Sequence, residues 1–134
     1  MPSLPLKSYQ QAALDTLTAF TQAAQVKGAP LAFGELAGRA YNPDPFGPDV
    51  PCVCLRIPTG GGKTLLACHT AGIAMEELLH AERAVVLWLV PSNTILDQTA
   101  DALRDPRHPY RRALELSCGG TVEVLTIDEA LQLT

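Results

Sequence analysis

The stretch RIPTGGGKTLLACH, Arg56 to His69, sets three glycines directly before a lysine and a threonine and then runs into an apolar, helix-like pattern. Each residue type there has a chemical use. Gly60, Gly61 and Gly62 let backbone N–H groups approach phosphate oxygens without side-chain interference. The N-terminus of the helix that follows adds partial positive charge. Lys63 can reach the β and γ phosphates of a nucleotide, and the Thr64 hydroxyl can coordinate Mg²⁺. Pro58 and Thr59 lead the chain into the turn. The pattern G-x-x-x-x-G-K-[ST] is met at Gly62, Lys63 and Thr64, but Ile57 occupies its first glycine position. A plain tight turn would also use the glycines, yet it would need neither the lysine nor the hydroxyl. The segment therefore predicts a nucleotide phosphate site.

Such a loop needs a strand to deliver it and a helix to cap it. CVCLRI, beginning at Cys52, is a short apolar β-type run, and TLLACHTAGIAMEELLHAE reads as a helix whose apolar face includes Leu66, Ile73 and Leu78. AVVLWLV predicts a second, fully apolar strand, and PSNTILDQTADALR a helix with Ser92 as N-cap. A short helix is expected after Pro109, then a third strand, TVEVLT, and the first turn of another helix. Strands without polar alternation, separated by helices, imply a mainly parallel sheet covered on both faces by right-handed crossovers. The predicted fold class is α/β.

Upstream, Ser8 and Gln11 stand in capping-box spacing, and Tyr9, Ala13, Leu17, Phe20 and Ala24 share one helical face. Gly28-Ala-Pro ends that helix. Residues 31–51 are awkward for regular structure. Phe33 to Ala40 allow a short helix, whereas YNPDPFGPDVP, with four prolines and a glycine, predicts a loop.

Composition bounds the function. With 134 residues, 47% hydrophobic and 18% charged, the chain suits one globular domain with a real core. No apolar run approaches a membrane span, so no membrane partner is expected. The N-terminus lacks the basic start and apolar stretch of a secretory signal. Cys52, Cys54, Cys68 and Cys118 show no zinc-site spacing, and Cys52 and Cys54 read as small buried hydrophobes. Reduced thiols and no signal suggest a cytoplasmic protein. A net charge of −4 argues against indiscriminate nucleic-acid binding, except at RDPRHPYRR, Arg104 to Arg112, which is either a solvated loop or a phosphate-contacting edge.

PTGGGKT followed by LVPSNTILDQ resembles the first half of a superfamily 2 helicase motor of the DEAD/DEAH type. There P-T-G-x-G-K-T is motif I, and P-[TS]-x-x-L-x-x-Q is motif Ia, matched by Pro91, Ser92 and Gln98 with Ile95 in place of leucine. LKSYQQAAL is similar to the L-[RK]-x-Y-Q-x-x-A-[LIV] entry of type III restriction subunits and related DNA translocases. By that resemblance Gln10 would read the adenine edge of ATP with Tyr9 packing nearby, a chemistry that suits an amide. GGTVEVLTIDEAL stands where the family has its GG and Ib segments, so Gly119 and Thr126 would meet nucleic-acid backbone, as would Pro91, Ser92 and Asn93.

VLTIDEA superficially resembles a Walker B strand. The short interval from Lys63 and the presence of Leu131 assign Asp128 and Glu129 to helix capping instead. The resemblance implies a P-loop NTPase, RecA-like, with a three-layer sandwich truncated before its Walker B strand. Residues 1–30 would form the adenine-reading region, 31–51 a proline-rich insertion and 52–134 the loop-bearing core. The implied cofactors are ATP and Mg²⁺, and the implied partners a DNA (or RNA) backbone and remaining motor domains C-terminal to Thr134. Two other readings stay open: a different P-loop phosphotransferase, and a non-catalytic remnant that only binds nucleic acid or protein.

Overall fold

The computed structural model describes residues 4–42, 46–47 and 50–133. Helix α1, Ser8–Lys27, buries Gln10, Leu14, Leu17, Phe20 and Thr21, positions three and four apart that make one stripe. Its start lies one residue from the predicted cap. Gln10, not Gln11, reaches back, its Oε1 accepting from the Lys7 N–H at 2.9 Å. Gly28 ends α1 with φ 86°, and α2, Ala29–Ala37, folds back upon it. The helix expected over Phe33 to Ala40 therefore starts four residues earlier. Pro43, Asp44, Pro45, Pro48 and Asp49 of the proline-rich stretch lie outside the described residues, as do Met1–Ser3.

Helix α3, Lys63–Ile73, starts at the glycine loop and continues as a π-helical segment, Ala74–Leu79. Helix α4 is Asn93–Arg104, α5 is Pro109–Cys118 and α6 is Ile127–Leu131. Ser92 caps α4 as expected, its Oγ accepting from the Ile95 N–H.

Two cores hold these helices. Leu17 and Phe20 of α1 pack on Ala29 and Ala32 of α2, with Phe33, Leu55 and Ile73 alongside. Leu65, Cys68 and Ala71 of α3 meet Leu103 of α4 and Ala113 and Leu114 of α5, with Trp88, Val122 and Val124 against them. Each large apolar side chain so buried contributes at most roughly 1.5–3 kcal/mol.

The predicted parallel sheet is not formed, and the α/β three-layer sandwich is corrected accordingly: the described residues contain helices and no strand. An apolar, β-branched run favours extended backbone, but a strand exists only when a neighbour completes its hydrogen-bond ladder. None of the three segments finds one. Around Cys52 to Ile57 the Cys52 N–H donates to the Tyr41 hydroxyl, and Leu55 anchors the run in the first core. Through Ala84 to Val90, Trp88 packs against the second core and Val90 is half-buried, while Val85 and Leu89 are 98% and 82% exposed. From Thr121 to Thr126 the Val122 and Val124 carbonyls accept from Arg111 and Arg104, which take the place of a partner strand. Cys52 and Cys54 are exposed, correcting the expectation that they are buried. That expectation needed sheet on both sides of them.

Candidate nucleotide site

The glycine loop is shaped from two directions. Along the chain, the Gly61 N–H donates to the Pro58 carbonyl at 2.9 Å, closing a tight turn. Across the fold, α1 grips the loop by a single carbonyl. The Gln10 Nε2 donates to the Gly61 oxygen at 2.8 Å and the Tyr9 hydroxyl donates to the same oxygen at 3.0 Å. Gln10 is 5% exposed, so this amide sits in a low-dielectric setting where its bonds are strong and their loss costly.

Two glycines are demanded by this geometry. A Cβ at Gly61 would lie 2.5 Å from Ile57 Cγ2 and 2.8 Å from the Pro58 oxygen. Ile57, which departs from the usual loop pattern, therefore fits only because position 61 has no side chain. Gly62 has φ 85°, and a Cβ there would stand 2.5 Å from Gln10 Nε2.

With the Gly61 carbonyl drawn against α1, the opposite character is left at the helix start. The N–H groups of Gly62, Lys63, Thr64 and Leu65 donate to no described residue, the first helical bond running from Leu66 N–H to the Gly62 carbonyl. Lys63 is exposed and Thr64 half-buried, and neither side chain bonds a described residue. Free amides, an α-helix N-terminus of eleven residues and an unpaired ammonium together make an oxyanion cradle. These donors fit a polyphosphate, and the Thr64 hydroxyl fits a hard cation beside it. Among the described residues no group of three or more His, Cys, Asp or Glu could hold a metal ion. A cation here would thus rest on the hydroxyl and on phosphate oxygens.

The residues expected on nucleic acid are more scattered. Pro91, Ser92, Asn93 and Gln98 lie exposed at and within the start of α4. Thr126 is tied near the other end of that helix through Glu129 and Arg104. Twelve residues make α4 about 18 Å long, so Ser92 and Thr126 do not share one spot. Gly119 closes α5 with φ 70°, its N–H donating to the Glu115 carbonyl. Thr126 and Glu129 cap α6 reciprocally, at 3.3 and 3.2 Å, as the helix-capping reading of Glu129 expects.

The arginine run divides. Arg104, at the surface, and the more buried Arg111 bond carbonyls and carboxylates, whereas the side chains of Arg107 and Arg112 bond no described residue. Sequence reasoning missed the bonding of Arg104 and Arg111, and also the Lys7 N–H as the partner of Gln10. The Lys7-to-Gln10 interval of three residues was a usable signal, obscured by the more typical capping residue Ser8.

Apart from the loop, between α1, α3 and α5, a cleft of about 380 Å³ is lined by Asp15, Thr18, His69, Glu76 and Ser117 among others. His69 Nδ1 lies 3.3 Å from the Ser117 hydroxyl, which itself donates to the Ala113 carbonyl. Burial lowers the His69 pKa, which keeps the ring neutral. Burial pushes the Cys68 thiol up to about 12 and raises that of Cys118, so neither is a ready nucleophile.

A glycine loop at a helix start, with free amides and an unpaired lysine, is an arrangement of donors that could accept an anion such as a polyphosphate. The family is more specific. Residues 3–129 match type III restriction enzyme, res subunit, and the chain belongs to that family of helicase-like, ATP-dependent motor domains. No curated protein and no solved structure matches the chain. No described helix is long and apolar enough to cross a membrane.

Proposed function

We propose that the chain is the ATP-binding part of an ATP-dependent nucleic-acid helicase or translocase, with DNA as the substrate. The observation that carries this reading is the run of four unpaired amides, Gly62 to Leu65, beside an unpaired Lys63. In a family of helicase-like motors, those donors suit the triphosphate. Lys63 would neutralise charge on the β and γ phosphates, and the Thr64 hydroxyl would ligate Mg²⁺. The metal, when bound, would supply charge neutralisation to the phosphates.

Gln10 would serve twice. It orients the loop through Gly61, and its second amide hydrogen and second Oε1 lone pair remain for the adenine edge. Pro58, Thr59, Gly60 and Tyr9 shape the loop. Ser92, Asn93, Gln98 and Thr126 would touch a nucleic-acid strand by sequence-independent contacts, as a moving motor requires. The loop alone binds and orients, so the chain by itself should turn ATP over slowly if at all.

The test is a titration with fluorescent ATP and GTP in Mg²⁺, using the chain and its Lys63→Ala and Gln10→Ala variants. ATP binding abolished by Lys63→Ala, with a preference for ATP lost in Gln10→Ala, supports the reading. Equal affinity of the unaltered chain for both nucleotides would remove the adenine role. Undiminished ATP affinity in Lys63→Ala would remove the phosphate site.

A further inference from the structure

The bonded arginines, Arg104 and Arg111, carry an inference that the nucleotide site does not. Val122 and Val124 alternate along an extended segment, so their carbonyls lie on one edge, and Thr126 is the next residue in that register. Arg111, whose side chain is 15% exposed, donates to the Val122 carbonyl at 2.7 Å, to the Leu103 carbonyl at 2.9 Å and to the Glu115 carboxylate at 2.7 Å. Arg104 donates to the Val124 carbonyl at 3.2 Å and to Glu129 Oε2 at 2.6 Å. That same carboxylate oxygen accepts from the Thr126 N–H at 3.2 Å. A continuous set of bonds thus runs from α4 and α5 through two guanidinium forks to Thr126.

We propose that Arg104, seconded by Arg111, is a positioning residue that aims Thr126 at a nucleic-acid backbone, and does not itself contact phosphate. The inference rests on the reading of Thr126 as a backbone-contacting residue. The chemistry favours arginine for the task. A planar fork can bond a carbonyl and a carboxylate together in fixed geometry, whereas a lysine ammonium is a point charge on a flexible stem. Two of the Arg104 N–H donors are held in this way, and the Glu129 carboxylate neutralises its charge locally. Arg107 and Arg112, whose side chains bond no described residue, are the members of the run free to supply charge.

The experiment measures binding of the chain to a fluorescent single-stranded oligothymidylate over a range of salt concentrations. The variants are Arg104→Lys, Arg104→Gln, Glu129→Gln and Thr126→Val, with fluorescent ATP affinity and melting temperature followed in parallel. The expected result is about tenfold weaker oligonucleotide binding in all four, with ATP affinity unchanged. The slope of log K against log salt should keep its wild-type value in Arg104→Gln, because no phosphate loses a charged partner.

Full affinity in Arg104→Lys together with a loss in Arg104→Gln, or a slope reduced by about one in Arg104→Gln, would make Arg104 a direct phosphate ligand and overturn the proposal. Wild-type affinity in both Arg104 variants alongside a weakened Thr126→Val would overturn positioning while sparing Thr126. An unaffected Thr126→Val, or a chain that binds no oligonucleotide, would remove the Thr126 reading and this inference with it.

Discussion

Gly72 offers a sharp test of how α3 and α5 meet. It is buried in α3, and a Cβ placed on it would stand 2.3 Å from the Ser117 carbonyl oxygen, 2.5 Å from Ser117 Cβ and 2.6 Å from Ser117 C. Two of these three atoms are backbone, so no rotamer change relieves the clash. Ordinary contact begins near 3.4 Å, which means that Gly72→Ala must push the helices apart by about 1 Å. The same pair of helices carries Leu65, Cys68 and Ala71 against Ala113 and Leu114, and a gap of that size forfeits about a quarter to a half of each contact's dispersion energy.

Overpacking of this kind costs about 1–3 kcal/mol or somewhat more, against which alanine regains about 1 kcal/mol of helix propensity. The net expectation is a loss of about 1 kcal/mol. With a urea m-value of about 2 kcal/mol/M for a chain of this size, the unfolding midpoint should fall by about 0.5 M. Gly34, inside α2, is the matched control. A Cβ there meets nothing closer than the Arg39 carbonyl at 3.9 Å, so Gly34→Ala should raise stability by about 0.5–1 kcal/mol. Opposite signs for the two substitutions are the signature. If Gly72→Ala stabilises the chain as Gly34→Ala does, the close approach of α3 and α5 at Ser117 is refuted.

Two further outcomes follow from the loop and from the buried titratable groups. Gln10→Leu fills the same space but strips the Lys7 N–H of its partner and Gly61 of one donor, so urea unfolding should show a loss of about 1–3 kcal/mol. Tyr9→Phe should cost less than about 1 kcal/mol, since Tyr9 is 42% exposed and water can replace its hydroxyl; an equal cost would mean that Tyr9 is the main brace. Stability should also fall on both sides of neutrality. His69 has a lowered pKa in the fold, so its contribution is complete above the ordinary value of 6.5 and is lost as acid protonates the unfolded chain first. Cys68 is raised from 9.0 to about 12, so its contribution is complete below pH 9 and declines toward pH 12, by at most about 1.4 kcal/mol per pH unit. Unfolding midpoints across pH under reducing conditions check both limbs, and a Cys68→Ala variant with an unchanged alkaline limb would disprove the second.

The sequence by itself determined the local events, because their causes lie within a few residues. Ser92 heading α4, Pro109 opening α5 and the Thr126–Glu129 cap of α6 are satisfied by neighbours three residues away or fewer. The family was equally legible, since its motifs are contiguous strings. The sheet was not. An apolar run such as Ala84 to Val90 says that a segment favours extended backbone, but the partner that would make it a strand must come from elsewhere in the fold, and here none pairs with it.

Tertiary structure alone decided what long-range neighbours do. It turned Gln10 toward a carbonyl fifty-one residues away, which the type of the residue could not reveal. It tied two arginines of one charged run to carbonyls and carboxylates and left the side chains of the other two without a described partner, although all four look alike in sequence. It also made Gly72 a point of helix contact and not merely a weak helix former. In each case the deciding energy is a bond or a clash between atoms that the chain brings together only after its helices have packed.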